Sequence, residues 1–228
     1  MGKYASFNGR GLLSEFPDNL VADLFAAARR VRLKRGAVLF EAGDDGDGCY
    51  RVEEGLLKVT IVSRAGGERI LSFVGPTALV GELSMIDGLP RSATVTAVRD
   101  ATLQFVRRAA FKQLARKRPE VLETLVALLA RRLRETDDAV AAISFLHLRG
   151  RLARALLELG ENFGQDVGAG RIVIRHKIAH NDLAAMVGTA RENVTRVLAD
   201  WKRTKLVTRL SGYYCLENRA KLEEQGEL

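Results

Sequence analysis

Two cysteines and three histidines in 228 residues are so few that several kinds of chemistry drop out at once. Cys49 and Cys215 lie far apart, with no second Cys or His at metal-ligand spacing, so neither a zinc site nor a cysteine-ligated iron–sulfur cluster is supported. A reduced, cytoplasmic setting fits such sparse cysteine. His147, His176 and His180 stand without a nucleophile or a metal partner at useful spacing, so no catalytic constellation forms and an enzyme is not expected. Long apolar runs are missing too. None approaches the ~20 residues of a bilayer-spanning helix, and the N-terminal stretch lacks the basic-then-apolar pattern of a secretion signal, so no membrane partner is expected. There is neither an internal repeat nor a low-complexity tract.

Negative charge is in short supply as well. The chain carries 28 acidic against 36 basic residues, a net +8, which favours an acidic partner, either nucleic acid or an anionic surface. The excess is local: residues 171–209 hold nine basic side chains against Asp182, Glu192 and Asp200, and so supply six of the net eight charges. With 47% hydrophobic residues the chain is long enough for two modest domains, each with its own core.

What is present is organised around residues 119–145. Leu122, Val126, Leu129, Leu133, Thr136, Val140 and Ile143 follow at alternating gaps of four and three, the a/d repeat of a coiled-coil helix over about three heptads. Such a helix runs roughly 40 Å, more than one small domain covers, so its apolar stripe is expected to meet a second copy across a two-fold axis. Only Thr136, with Asp137 beside it, breaks the seam. It either sets register or marks a binding position.

On the N-terminal side, Leu12, Leu13, Phe16, Leu20, Leu24 and Phe25 predict an amphipathic helix within residues 12–30. Short β-branched and aromatic runs follow at 38–40, 49–52, 57–62, 69–74, 93–98 and 102–106. Turn residues at 43–46, 54–55, 66–67 and 75–76 punctuate them, which predicts a small antiparallel β-roll. Residues 108–118 read as a short helix. Beyond the long helix, a hinge is expected at 146–149, and then a helix through Leu148, Leu152, Ala155, Leu156 and Leu159 that Gly160 and the run 164–170 break. A strand at 171–174, a helix at 181–187, a turn with Gly188, a helix at 189–204 and two strands around Ser211-Gly212 describe a winged helix-turn-helix. The expected fold is α+β: a β-roll domain with flanking helices at 1–118, the dimerisation helix and hinge at 119–147, and the winged domain at 148–228.

Inside the β region sits Val80-Gly81-Glu82-Leu83-Ser84, followed by Arg91-Ser92-Ala93. Gly81 lets backbone approach a ligand closely, and Glu82-Leu83-Ser84 would open a short helix whose free N–H groups face an anion. Arg91 offers a forked cation for phosphate oxygens, Glu82 an acceptor for a ribose hydroxyl, and Ser92 a hydroxyl donor. The bland alternative is a surface ion pair between Glu82 and Arg91.

G-E-L with R-S-A nine residues after the glutamate closely resembles the phosphate-binding cassette of cyclic-nucleotide-binding domains. From about Val31 onward the chain resembles the cyclic AMP receptor protein and FNR family of bacterial transcription regulators. That resemblance implies a cyclic nucleotide held by Gly81, Glu82, Leu83, Ser84, Arg91 and Ser92, with its base against Thr136 and Asp137 of the long helix. The family carries Thr-Ser there, and the carboxylate at 137 would pair better with guanine than with adenine, so cyclic GMP stands beside cyclic AMP as ligand.

Gly188-Thr189-Ala190-Arg191-Glu192-Asn193-Val194-Thr195-Arg196 resembles the family's recognition-helix start, which implies DNA contacts from Arg191, Glu192, Thr195 and Arg196. Two arginines at this spacing can each grip guanine O6 and N7 in one groove, and Glu192 can accept from cytosine N4. Thr189 and Glu192 also read as a capping box. Ala179-His180 stands where the family carries a hydroxyl and a basic residue touching phosphate, so one of those contacts is missing and His180 is the candidate DNA-binding residue there. Lys177, Asn181, Lys202 and Arg203 are then expected to hold the DNA backbone. The whole implies a homodimeric regulator controlled by cyclic AMP or cyclic GMP, binding a palindrome of TGTGA-like half-sites, with RNA polymerase as a further partner. Two rivals remain: a regulator of the same fold that answers another signal or none, and a nucleotide-binding module whose basic domain docks on a non-DNA partner.

Overall fold

The computed structural model describes residues 18–26 and 28–227 and divides into two compact units that part inside the long helix, between Arg132 and Leu133. Leu12, Leu13 and Phe16 lie outside the described residues. In the N-terminal unit, helix α1 (Asp18–Phe25) buries Leu20, Val21, Leu24 and Phe25. It stops short of the predicted residue 30, because Arg29 and Arg30 already belong to a strand. The roll comprises β1 (Arg29–Leu33), β2 (Val38–Phe40), β3 (Gly48–Val62), β4 (Glu68–Val74), β5 (Leu79–Val80), helix α2 (Glu82–Asp87), β6 (Thr94–Arg107) and helix α3 (Arg108–Lys117). Its sheet is antiparallel in the order β1-β6-β3-β4, with β2 also on β6 and β5 also on β3.

Four runs predicted as separate strands prove to be two. Residues 49–52 and 57–62 join in β3, and 93–98 and 102–106 join in β6. Glu54-Gly55 is not a turn but a bulge where the β3–β6 register slips between Val52 and Leu57, because pairing on both sides carries the strand through. The interior splits into two apolar clusters. Val52, Leu57, Val95, Ala97 and Leu103 fill the roll, while α1, α3 and the first turns of α4 (Glu120–Phe145) close over Cys49, Leu79, Met85 and Val106.

The C-terminal unit continues with α5 (Leu148–Phe163), β7 (Gly164–Asp166), β8 (Ile172–Ile174), α6 (His180–Val187), α7 (Arg191–Arg203), β9 (Val207–Leu210), β10 (Tyr213–Leu216) and α8 (Arg219–Gln225). A second antiparallel sheet runs β7-β8-β10-β9. Helices α4 and α5 part at Leu146-His147, inside the span where a hinge is expected. Gly160 does not end α5. The helix runs on to Phe163, and the glycine is there for packing, since a Cβ on it would come within 2.9 Å of Leu216 Cδ1. Leu152, Leu156 and Leu159 of α5, Leu183 of α6, and Val194, Leu198 and Trp201 of α7 are all buried.

Burial first, then the charges of Glu135 and Glu161, pushes the Glu158 carboxyl up to about 8 from an ordinary 4.5. The residue is partly buried on α5. A group that binds its proton more tightly in the folded state gives stability that is full below pH 4.5 and is lost as pH rises through 8. Glu158→Gln is therefore expected to raise stability at pH 8.5 by on the order of 2–4 kcal/mol and to change little at pH 5. Thermal unfolding at the two pH values checks this, and equal shifts at both would contradict it.

Candidate functional site

Helix α2 begins at Gly81, whose φ of 77° is open to glycine at little cost. Glu82 is 4% exposed and Ser84 2% exposed in its first turn, where backbone N–H groups point out of the helix end. Leu83 and Ser92 are exposed. Arg91 is buried, and its position is set from several sides. Its N–H bonds Asp44 O and its own carbonyl accepts from Gly43 N–H, both at 2.8 Å, which pins it to the β2–β3 loop. Its Nη1 donates to Gly48 O and Gly81 O, each at 2.8 Å. Its Cζ lies 4.3 Å from the centre of the Phe40 ring and 5.9 Å from that of Tyr50.

The remaining feature points to a ligand. Arg91 Nε is buried with no hydrogen-bond partner, and an orphaned charged donor in the interior asks for an anion. Glycine meets glycine around it. A Cβ on Gly81 would lie 2.2 Å from Arg91 Nη1, and a Cβ on Gly46 2.4 Å from Ser84 Cβ and 3.0 Å from Arg91 Cζ, so side chains at either position would fill the space beside the fork. These residues fit a phosphate, with Glu82 as the buried acceptor beside it. The simple surface ion pair between Glu82 and Arg91 does not describe two residues this buried.

Arg108, at the start of α3, donates from Nε to Met85 O at 3.0 Å and from Nη2 to Ile86 O at 3.2 Å. It thereby satisfies the carbonyls at the other end of α2. Beneath the site Cys49 is fully buried, and its thiol is pushed up to about 12, chiefly by burial and further by Glu82, with Arg91 opposing. Such a thiol is unreactive. Thr136 and Asp137 are both exposed on α4, beyond the point where the two units part.

In the C-terminal unit, α6, the three residues Gly188-Thr189-Ala190 and α7 form the expected helix-turn-helix, and β9 and β10 form the wing. Helix α7 buries Val194, Val197, Leu198 and Trp201 and exposes Arg191, Glu192, Thr195, Arg196, Lys202 and Arg203 on the opposite face. Arg191, Glu192, Thr195 and Arg196 occupy its first two turns; Lys202 and Arg203 lie at the far end, roughly 17 Å along the axis. Asn181 is exposed at the start of α6, where Asp182 accepts the N–H of Ala179 at 3.2 Å.

The Thr189–Glu192 capping box does not form. Ala190 is the N-cap of α7, so Thr189 stands one residue too early, and its hydroxyl instead accepts from Asn193 Nδ2 at 3.1 Å. Arg203 is paired with Asp200 at 2.6 Å, and Asp200 also takes Arg149 from the start of α5. First Arg149 and then Arg203 hold the Asp200 carboxyl below its usual range.

Phe40, Tyr50 and Gly46 beside Arg91, Arg108 at the end of α2, and Arg209, whose Nη1 lies 3.3 Å from His180 Nε2, are neighbours of the candidate residues that sequence reasoning did not single out. In the sequence Arg209 counts only as charge. Among the described residues no group of three or more His, Cys, Asp or Glu is placed to hold a metal ion, and no helix is long and apolar enough to cross a membrane.

A roll with a phosphate cassette and a winged helix-turn-helix on one chain define a cyclic-nucleotide-binding transcription regulator. Residues 30–118 match the cyclic nucleotide-binding domain, and residues 150–225 the Crp-like helix-turn-helix domain. The CRP-like cAMP-activated global transcriptional regulator of Mycobacterium tuberculosis is 32% identical over 191 residues, 84% of this chain and 85% of that one. The cyclic AMP receptor protein of Thermus thermophilus is 40% identical over 164 residues, 72% of each chain. A solved CRP/FNR-family transcriptional regulator, also from Thermus thermophilus, superposes with a TM-score of 0.71 at 30% identity, covering 88% of this chain and 99% of that one. The chain belongs to the CRP/FNR family of transcription regulators, which are not enzymes.

Proposed function

We propose that this protein is a homodimeric transcription regulator in which cyclic AMP or cyclic GMP controls binding to a palindromic operator. The buried, partnerless Nε of Arg91 between Gly81 and Gly46 carries the reading. Phosphate takes that donor and the first-turn N–H groups of α2, Glu82 takes a ribose hydroxyl, and the base meets Thr136 and Asp137 of the long helices. A ligand that prefers one packing of those helices shifts the pair of winged domains through the 146–149 hinge. Calorimetric titration with both nucleotides tests this; no heat with either, in a folded protein, would leave a regulator of the same fold that answers another signal.

Asp137 bears on the choice of base. An acceptor-only side chain suits guanine's N1–H and N2 amino group, and a charge-assisted bond of this kind is worth ~1.5–3 kcal/mol. Asp137→Ser is expected to lower the ratio of cyclic GMP to cyclic AMP affinity by about tenfold; an unchanged ratio removes Asp137 from base selection.

The operator follows from symmetry: two recognition helices entering successive major grooves need half-site centres ~34–36 Å apart. Arg191→Ala is expected to cost roughly 1–3 kcal/mol and to relax preference at one G·C pair, whereas Lys202→Ala should weaken every sequence about equally. Competition gel shifts with single-base operator variants separate the two. Uniform weakening by Arg191→Ala would reassign it to phosphate, and no shift of any duplex at low salt would favour a non-DNA partner for the basic domain.

A further inference from the structure

His180 stands where the resemblance implies a phosphate contact, yet both of its ring nitrogens are already engaged. Nδ1 lies 2.8 Å from Thr195 Oγ1, in the second turn of the recognition helix. Thr195 Oγ1 donates its only proton to Arg191 O at 3.0 Å, so toward the imidazole it can only accept. Nε2 lies 3.3 Å from Arg209 Nη1 on the wing strand β9, and a guanidinium can only donate. One proton arrangement satisfies both contacts: a neutral ring with its proton on Nδ1 and its lone pair on Nε2.

Arg209 is itself held. Its Nη2 donates to Ile178 O at 3.2 Å, and its Cζ lies 5.0 Å over the ring of Tyr214 on β10. The imidazole stacks beside that same ring, with centroids 6.5 Å apart and planes 28° from parallel. The charged and titratable groups that face it are Arg209 from β9, Arg191 from α7 and Tyr214 from β10, and Asp182, on its own helix, acts on Tyr214. Burial foremost, then the two arginines, hold the imidazole below its ordinary range.

We propose that His180 is a positioning residue: as a neutral imidazole it ties the base-reading start of α7, through Thr195, to the wing, through Arg209, and it does not serve as a phosphate contact. This rests on the DNA-binding reading. Protonation would set an Nε2–H against the Arg209 N–H, so acid conditions break the link to the wing while adding a positive charge. Specificity and raw affinity then move in opposite directions as pH falls.

The test uses the full-length protein, a TGTGA-type palindromic duplex and a shuffled duplex of the same length. Imidazole 15N spectroscopy of the free protein at neutral pH is expected to show His180 as the neutral Nδ1–H tautomer. His180→Ala is expected to lower the palindrome-to-shuffled affinity ratio by about tenfold, with the slope of log affinity against log salt unchanged. A protonated imidazole on a phosphate would behave differently, its loss shallowing the slope by about 0.9 and weakening both duplexes alike. His180→Asn, whose amide can reach Thr195 from the Nδ1 side, is expected to restore part of the ratio. A merely destabilised fold would show instead as a loss of helical circular dichroism and no rescue. A doubly protonated ring at neutral pH, or a shallower salt slope with the ratio intact, overturns the proposal. A wild-type protein that shifts neither duplex at low salt overturns the DNA reading and the positioning role with it, whereas a protein that binds with no loss of ratio in His180→Ala overturns the positioning role alone.

Discussion

Arg91→Leu is expected to take nucleotide binding below detection in a protein that still folds. Arg91 is 5% exposed, with Nη1 spent on Gly48 O and Gly81 O and Nε buried without a partner. A phosphate there would be a desolvated anion matched by a desolvated cation, and removing one member of such a pair costs about 3–5 kcal/mol, or roughly 10²–10⁴-fold in affinity. Leucine offers no donor in return. Arg91 also does structural work that its motif does not reveal. The variant leaves Gly48 O and Gly81 O without their donor and loses the stack on Phe40, so its thermal midpoint should fall, each lost acceptor costing about 1–3 kcal/mol. Arg91→Lys guards against misreading that loss: it keeps the charge but not the fork, and intermediate affinity is expected. Glu82→Ala should weaken binding less than Arg91→Leu, because a ribose hydroxyl bond to a charged acceptor is worth ~1.5–3 kcal/mol. Calorimetry with cyclic AMP, beside circular dichroism, decides. A folded Arg91→Leu with wild-type affinity sinks the cassette reading.

The cassette was legible because its residues are contiguous: Gly81 to Ser92 is one loop, helix and turn, and the chemistry of each residue type can be read in place. The long helix and the helix-turn-helix were legible for a related reason, since period and turn spacing are local properties. The aromatic wall of the site is not local. Phe40 reaches Arg91 because β2 pairs with β6 at Val95, and Tyr50 reaches it because β3 pairs with β5 at Val80, just before Gly81. Nothing in either short run announces that pairing. Strands β5 and β7, of two and three residues, exist only through their partners, and Gly160 read as a helix breaker although a neighbour in space, Leu216, explains it. The predicted capping box that does not form is a one-residue error of helix phase: an S/T-x-x-E pattern gives spacing, while the true start of α7 is set by how Val194 and Leu198 seat in the core. His180 shows the same limit in polar form. Its neighbours Thr195 and Arg209 are 15 and 29 residues away.

Charging the seam of α4 is expected to abolish the proposed dimer and, with it, binding to a palindromic operator. Leu122 is 46% exposed in the single chain, Val126 65%, Leu133 63%, Val140 58% and Ile143 46%, all on one stripe of one helix. Scattered exposed leucines need no explanation, but an apolar stripe from Leu122 to Ile143, interrupted only at Thr136, is a surface that seeks a partner. An alternation of four and three that persists through the stripe fits a parallel or antiparallel copy of itself better than an irregular groove. Leu133→Glu with Val140→Glu places like charges on both helices where they would meet, near the level of Thr136. The double variant should sediment as a monomer, with each unit's circular dichroism and the Arg91 site preserved, because neither side chain belongs to a buried cluster. Operator affinity should fall by about 10²–10⁴-fold, since a monomer forfeits the effective concentration that links two half-sites, while affinity for a single half-site should barely change. Analytical ultracentrifugation alongside gel shifts on full and half operators makes the comparison. A double variant that remains dimeric would move the two-fold contact off α4; one that becomes monomeric yet holds the full operator as tightly as wild type would show that the palindrome is not read by a pair of chains.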